Sequence, residues 1–344
     1  MADHRERLPH PFPEEGGLSR EAYAAIRKGV RVRHAELAAV VVILLDLALA
    51  WVSILLLQSG NPYAYALAQL LLVVVYFHGF GILHDAGHGA VSKRRATNVL
   101  VGHWASVFCF LPFYPWKFIH QEHHTWAGNI VRDPTLELVK GFDPHRWFRY
   151  GLLRFCWVLW IPLSGVAQHF VFWFYPFKLL ASPKVDWGKK SRCVFSMAFL
   201  LLVYAALHWM APSLFHIRNF WPSMLLYMVV VELVNLPHHL GTEMTDDERG
   251  KLPVWRQAIT TRSCYYPFPV SEILFLNFNF HVEHHVFPNL PWWTLRGLRQ
   301  QIRDRTSGYQ ECLGISWNLR NRRKDLIEVA VPEWRRRREN PDQE

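Results

Sequence analysis

Residues 37–57 form a hydrophobic run broken by one charge, Asp46, and a second run follows from about 64 to 83 after the uncharged turn QSGNPY at 58–63. Each is close to the roughly 20 residues that a bilayer crossing requires. Together they predict a transmembrane helical hairpin, with Asp46 near a helix end or turned to the protein interior. A second hairpin is predicted with arms at 194–210 and 220–236, joined by a short turn containing Pro212. Basic residues flank the hairpins: Arg20, Arg27, Lys28, Arg31 and Arg33 before the first, Lys93, Arg94 and Arg95 after it, and a Lys/Arg-rich stretch at 184–192 before the second. By the positive-inside rule these flanks are cytoplasmic.

Two more stretches, 96–116 and 155–177, carry no Asp, Glu, Lys or Arg but contain Pro112 and Pro115, and Pro162 and Pro176. Proline interrupts a helix, and cytoplasmic flanks require an even number of crossings. Both are therefore read as interfacial or re-entrant helices. The expected architecture is an all-α integral membrane protein: two transmembrane hairpins, about four spans, beneath a cytoplasmic helical cap. Its divisions are a polar cytoplasmic N-terminus at 1–36, a membrane domain at 37–299 and a basic cytoplasmic tail at 300–344 that ends in Arg335 to Arg338.

Composition alone hides this. Over 344 residues, 51% are hydrophobic and 19% charged, and the mean hydropathy is only +0.02, because apolar and charged segments are kept apart. That segregation excludes a soluble two-domain enzyme, a disordered chain and a coiled coil. The net charge of +10 suits anionic headgroups or an acidic partner better than nucleic acid, since the basic residues border membrane segments. Five cysteines without a C-x-x-C indicate neither a disulfide framework nor a cysteine zinc site. The first 36 residues are polar and charged, so no cleavable signal peptide is expected before the first run.

The chemistry lies in the histidines, 19 in all. Three clusters stand out: His84-Asp85-Ala-Gly-His88, His120-Gln-Glu122-His123-His124 and His281-Val-Glu283-His284-His285. At this histidine frequency H-x-x-H-H arises by chance about 0.06 times per chain, yet it occurs twice. On a helix, positions i, i+3 and i+4 share a face, so each cluster can aim several imidazoles at one point. Eight imidazoles exceed what one metal uses, so two metals are indicated. All three clusters fall at one membrane face if residues 96–116 do not cross. A fourth element, Asn235-Leu-Pro-His238-His239, ends the last span at the same face. The residues alone leave His239 open as a ligand and place His238 as an orienting or structural side chain. H-E-x-x-H, G-x-S-x-G and P-loop motifs are absent, which removes the signatures of zinc proteases, serine hydrolases and NTPases.

These boxes resemble the membrane fatty acid desaturase and hydroxylase superfamily, from about Leu37 to Arg299. The H-D-A-G-H form of the first box is similar to the acyl-lipid type. The resemblance implies a further histidine from an N-x-x-x-H element, matched by Asn235 and His239. It thereby implies nine ligands (His84, His88, His120, His123, His124, His239, His281, His284 and His285) holding two iron ions. It also implies an O₂-dependent enzyme that introduces a double bond into a fatty-acyl chain bound as lipid, CoA or carrier-protein thioester. Electrons would come from an external ferredoxin or cytochrome b5-type donor, since no His-Pro-Gly-Gly haem signature is present. Asn235, His238, Asp85, Glu122 and Glu283 are candidates to orient the ligand imidazoles from behind. The nearest rival is a carotenoid ketolase or hydroxylase on the same scaffold, kept open by the HDAGH box and by Pro291-Trp292-Trp293, although that group is generally shorter. A zinc-dependent membrane hydrolase or metal carrier is the rival of another class.

Overall fold

The computed structural model describes residues 16–32, 35–129, 131–136, 147–242, 244–245 and 250–312. Most of the expected basic tail, including Arg335 to Arg338, lies outside the described residues, as do residues 1–15 of the N-terminus. The described chain is mostly helical, with one two-residue parallel strand pair, β1 (Ser263–Cys264) and β2 (Glu311–Cys312).

Helices α2 (Ala35–Gln58) and α3 (Pro62–His88) cover the first two apolar runs and pack against each other. Between them Asn61 caps α3, its Oδ1 accepting the N–H groups of Tyr63 and Ala64 at 2.8 and 3.3 Å, and Pro62 supplies a residue that needs no donor there. Helix α3 is the central element, mostly buried, whereas α2 is mostly exposed. Asp46 of α2 is turned inward: its Oδ1 lies 2.7 Å from Nδ1 of His78, whose Nε2 lies 2.6 Å from the Ile273 carbonyl. A carbonyl only accepts, so Nε2 carries a proton and a second proton is held between Nδ1 and Asp46. This pair ties α2 and α3 to the turn at Val270–Leu274.

Helices α4 (Arg95–Cys109) and α5 (Phe113–Trp126) meet at an angle of 100°, as a broken span or a re-entrant loop. The break has a local cause: Phe110 sits at φ +59° and Pro112 follows it. The stretch 155–177 is likewise split, between α6 (Trp147–Val158) and α7 (Leu163–Ala181), at Pro162. Helices α8 (Trp187–Met210) and α9 (Trp221–His239) follow.

Among the described residues three helices, α2, α3 and α8, are long and apolar enough to cross a membrane, or four if the bent pair α4–α5 is one span. The fourth expected span is helical but is not among them, because α9 carries Glu232, Asn235, His238 and His239 within its 19 residues. Nor does Pro237 end it. The helix continues to His239.

Helix α10 (His281–Val286) packs against β1, the 3₁₀ helix Val254–Ile259 and α11 (Trp292–Arg303). Residues near both ends of the described part of the chain join this layer. Helix α1 (Arg20–Gly29), N-capped by Ser19, buries Ile26, and Tyr23 stacks on Phe287 with centroids 4.9 Å apart. Leu18 and Ile26 share an apolar cluster with Val286, Leu298 and Ile302. Leu18, Ile26 and Ile302 thus join the layer that holds the third histidine cluster.

Candidate metal centre

Four helices deliver the nine histidines to one place. Helix α3 contributes His84 and His88, α5 contributes His120, His123 and His124, α9 contributes His239, and α10 contributes His281, His284 and His285. They form two groups, in each of which one nitrogen per residue lies within 4.8 Å of all the others: His84, His88, His120, His124 and His284 in the first, and His123, His239, His281 and His285 in the second. The H-x-x-H-H boxes are therefore divided between groups. Successive helical residues are rotated by about 100°, so His123 and His124 point to different centres.

In the first group the Nε2 atoms of His84 and His284 are 3.0 Å apart, those of His284 and His124 are 2.9 Å apart, and those of His124 and His120 are 3.1 Å apart. The buried Nε2 of His88 has no hydrogen-bond partner. In the second, Nε2 separations are 3.3 Å for His123–His285, 2.9 Å for His239–His281 and 3.1 Å for His285–His281.

Outer contacts settle what these nitrogens carry. His123 donates from Nδ1 to the Asp133 carboxylate at 2.9 Å, His285 from Nδ1 to Gln257 Oε1 at 2.9 Å, and His239 from Nδ1 to the Thr260 carbonyl at 3.2 Å. The Gln257 amide is oriented in turn by donating from Nε2 to the His124 carbonyl at 2.7 Å. A neutral imidazole has one N–H, so in these three rings Nε2 is a bare lone pair. Lone pairs converging at about 3 Å repel unless a cation lies among them. The donor set fits a metal on this ground. It is all imidazole, and two groups of five and four suit two ions of the Zn, Cu, Fe or Ni class.

Electrostatics favour the same state. Burial, reinforced by neighbouring imidazoles, holds His281, His284 and His285 well below the usual histidine range, so they are neutral near pH 7 as ligation requires.

The orienting candidates divide. Asp85 accepts the Trp292 backbone N–H at 2.9 Å through Oδ2 and approaches His84 Nδ1 at 3.4 Å through Oδ1. His238, fully buried, stacks on His281 with centroids 4.1 Å apart and planes 12° apart. This matters because Nδ1 of His281 has no hydrogen-bond partner, so the ring is held by stacking. Glu283 is buried but contacts no imidazole; it accepts from Ser263 Oγ and Tyr309 OH, each at 2.6 Å. Burial raises its carboxyl above the usual range. Glu122 is exposed on α5, on the face turned away from the histidines. Both carboxylates miss for the same reason: on a helix the residue preceding an inward histidine points elsewhere.

Asp133, Gln257 and Thr260 carry out the orienting work instead, and no spacing in the sequence singles them out. They lie 10 to 28 residues away from the rings they hold, Asp133 in a loop, Gln257 in the 3₁₀ helix Val254–Ile259 and Thr260 at its C-cap. The glycine of the first box acquires a reason too, since a Cβ at Gly87 would lie 2.5 Å from Cζ3 of Trp116, whose ring stacks on His120 at 4.5 Å.

Both groups open onto a cavity of about 560 Å³. One stripe of α9 at four-residue intervals, Tyr227, Val231, Asn235 and His239, runs along its wall. By helical rise that stripe is about 18 Å long. Phe80, Leu111, Ile119 and Phe172 make much of the rest apolar.

A family model described as "Fatty acid desaturase" matches residues 60–311. The chain is 27% identical over 301 residues to an sn-1 oleoyl-lipid 12-desaturase of Picosynechococcus sp., covering 78% of this chain and 81% of that protein. It is 25% identical over 260 residues to an sn-1 acyl-lipid omega-3 desaturase (ferredoxin) of Synechocystis sp., covering 70% and 68%. It is 26% identical over 259 residues to a chloroplastic omega-6 fatty acid desaturase of Arabidopsis thaliana, covering 70% and 53%.

Proposed function

The chain belongs to the fatty acid desaturase family, and we propose that it inserts a carbon–carbon double bond into the acyl chain of a membrane lipid, using two iron ions held by its nine converging histidines. The carrying observation is the apolar cavity whose wall includes His120, His123, His239 and His281. A long hydrocarbon fits such a slot, and its side is presented to both histidine groups.

Two bound iron ions would supply O₂ activation and hydrogen abstraction, which no side chain can perform. The protein's share is to hold His84, His88, His120, His124 and His284 about one ion and His123, His239, His281 and His285 about the other. Asp133, Gln257 and the Thr260 carbonyl keep three Nδ1 protons in place, so that Nε2 faces inward. The cavity walls bind the chain, limit its sliding and exclude water, which turns a flexible polymethylene into a positioned one. Asn235, one helical turn before His239, lines the cavity with it.

We place the histidine layer on the cytoplasmic side of two membrane hairpins, because the basic flanks sit there by the positive-inside rule. Residues 37–299 make up the membrane domain in this reading. The electron donor is a separate ferredoxin-type protein, in keeping with the ferredoxin-dependent relative.

Expression in a host with a matching donor, followed by fatty-acid profiling with double-bond location, tests the activity. New unsaturated acyl chains are expected. Oxygenated carotenoids or hydroxylated lipids instead would assign the scaffold to another oxidation. Metal analysis of the purified protein is expected to give about two irons per chain, and one zinc with O₂-independent activity would overturn the oxidative reading.

A further inference from the structure

Beside the histidine centre, Cys264 and Cys312 are brought together by the two-stranded sheet. They are in-register partners of the parallel β1–β2 pair, and their Sγ atoms stand 3.9 Å apart. Paired strands lie about 4.8 Å apart, inside the roughly 4.4–6.8 Å Cα separation a disulfide needs. The backbone spacing is therefore in range, and the sulfurs are within about 2 Å of the S–S bonding distance.

The pair is asymmetric in access. Cys264 is 1% exposed, whereas Cys312 is partly exposed, next to an open polar basin lined by Thr306, Gly308, Tyr309, Gln310 and Glu311. A small oxidant reaches Cys312 first, with Cys264 waiting behind it.

Its neighbours give the pair consequence. Cys264 donates its backbone N–H to the Asn279 carbonyl at 2.9 Å, and Asn279 Nδ2 donates back to the Cys264 carbonyl at 2.7 Å. The adjacent Ser263 Oγ accepts the Val282 N–H at 3.0 Å and donates to Glu283 at 2.6 Å. Strand β1 thus supports residues 279–283, the start of the helix that carries His281, His284 and His285, while β2 belongs to the segment that follows α11.

We propose that Cys264 and Cys312 are a reversible thiol-oxidation site, closed by hydrogen peroxide into a disulfide that clips residues 306–312 to the strand supporting the third histidine cluster. The Cys312 thiolate attacks peroxide; the O–O bond breaks, hydroxide leaves and is protonated to water, and a sulfenic acid remains. The Cys264 sulfur then attacks the Cys312 sulfur, the S–O bond breaks, and the hydroxyl leaves as a second water with the Cys264 proton. Two thiols and one peroxide give one disulfide and two waters, with two electrons passing from sulfur to oxygen. A cellular dithiol reverses the step, and the resting state is the reduced pair, as cytosolic thiols are kept.

The site stands apart from the metal reading and is tested without turnover. The purified membrane protein is treated with a few equivalents of hydrogen peroxide, remaining thiols are alkylated, and peptides are mapped without reductant. The expected result is a Cys264–Cys312 linked peptide in most chains, removed by dithiothreitol and absent from Cys264→Ser and Cys312→Ser. Amide exchange at residues 311–312 is expected to slow on oxidation. Overoxidised Cys312 with no linkage, oxidation confined to Cys109, Cys156 or Cys193, or equal linkage in urea-unfolded chain would each overturn the proposal. The mapping is read on the unaltered protein, so no variant's folding decides it.

Discussion

The carboxylate of Asp133 accepts the Nδ1–H of His123 at 2.9 Å, with both side chains buried and ten residues apart. The same carboxylate accepts Thr135 Oγ1 at 2.7 Å and the Gly128 N–H at 3.1 Å, so it is fixed before any metal arrives. Its removal frees the ring to flip or change tautomer. Asp133→Ala is expected to lower metal affinity or turnover by about 10- to 100-fold, and Asp133→Asn by less. Metal content per chain, measured beside activity, checks this; unchanged content in Asp133→Ala would refute the orienting role.

Glu122 and Glu283 occupy equivalent places in their boxes but are expected to behave oppositely. Glu122→Ala, at an exposed site, should stay within about 0.5 kcal/mol of the parent in stability. Glu283→Ala leaves Ser263 and Tyr309 without their buried acceptor and should cost about 1–3 kcal/mol. Thermal unfolding of the two variants in one detergent separates them, and equal midpoints would contradict the assignment.

Gly87→Ala tests the stack on His120. The new methyl meets the Trp116 ring at 2.5 Å, so the indole must shift, at a cost of about 1–3 kcal/mol. Loss of metal from this variant, with insertion into the membrane preserved, is the expected outcome.

The cavity makes a separate claim. Val231→Phe adds bulk in the wall between Tyr227 and Asn235 without touching a histidine nitrogen. Turnover of long acyl chains should fall while metal content stays at the parental level. Unchanged product length and rate would show that the substrate lies elsewhere.

Acid should act through the buried imidazoles. His281, His284 and His285 are held well below their ordinary value by burial, while in the unfolded chain they take up protons near pH 6.5. The unfolded state therefore binds more protons below that pH, so metal-free stability is fully present above about 6.5 and falls as the pH drops. The unfolding midpoint of chelator-treated protein between pH 7.5 and 5.0 is the measurement. A His285→Gln variant should show a shallower decline.

Much of the centre is legible in the chain because ligand spacing is local. An i, i+3, i+4 set lies on one face of any helix, so His120, His123 and His124 are bound to point the same general way. Which of the two groups each joins is not local. His123 and His124 part company because His239 and His285 come from one side, and His84 and His284 from the other. Asp133 and Gln257 escaped notice for a related reason. Asp133 sits in a loop and Gln257 in the short 3₁₀ helix Val254–Ile259, and no periodicity marks a residue there that will meet a ring far along the chain.

By itself, then, the sequence determined the apolar helices, the breaks at Pro112 and Pro162, and the histidines that converge. Each follows from a rule acting within a few residues: hydrophobic run length, the missing proline N–H, helical spacing. Tertiary packing alone decided that α9 runs unbroken through Pro237 to deliver His239, and that α1 and residues 300–312 are folded against the third cluster. It also made Asp133 and Gln257, rather than Glu122 and Glu283, the residues that face the imidazoles. These choices depend on what each side chain meets across the fold, and burying a polar group without a partner costs enough to select one arrangement.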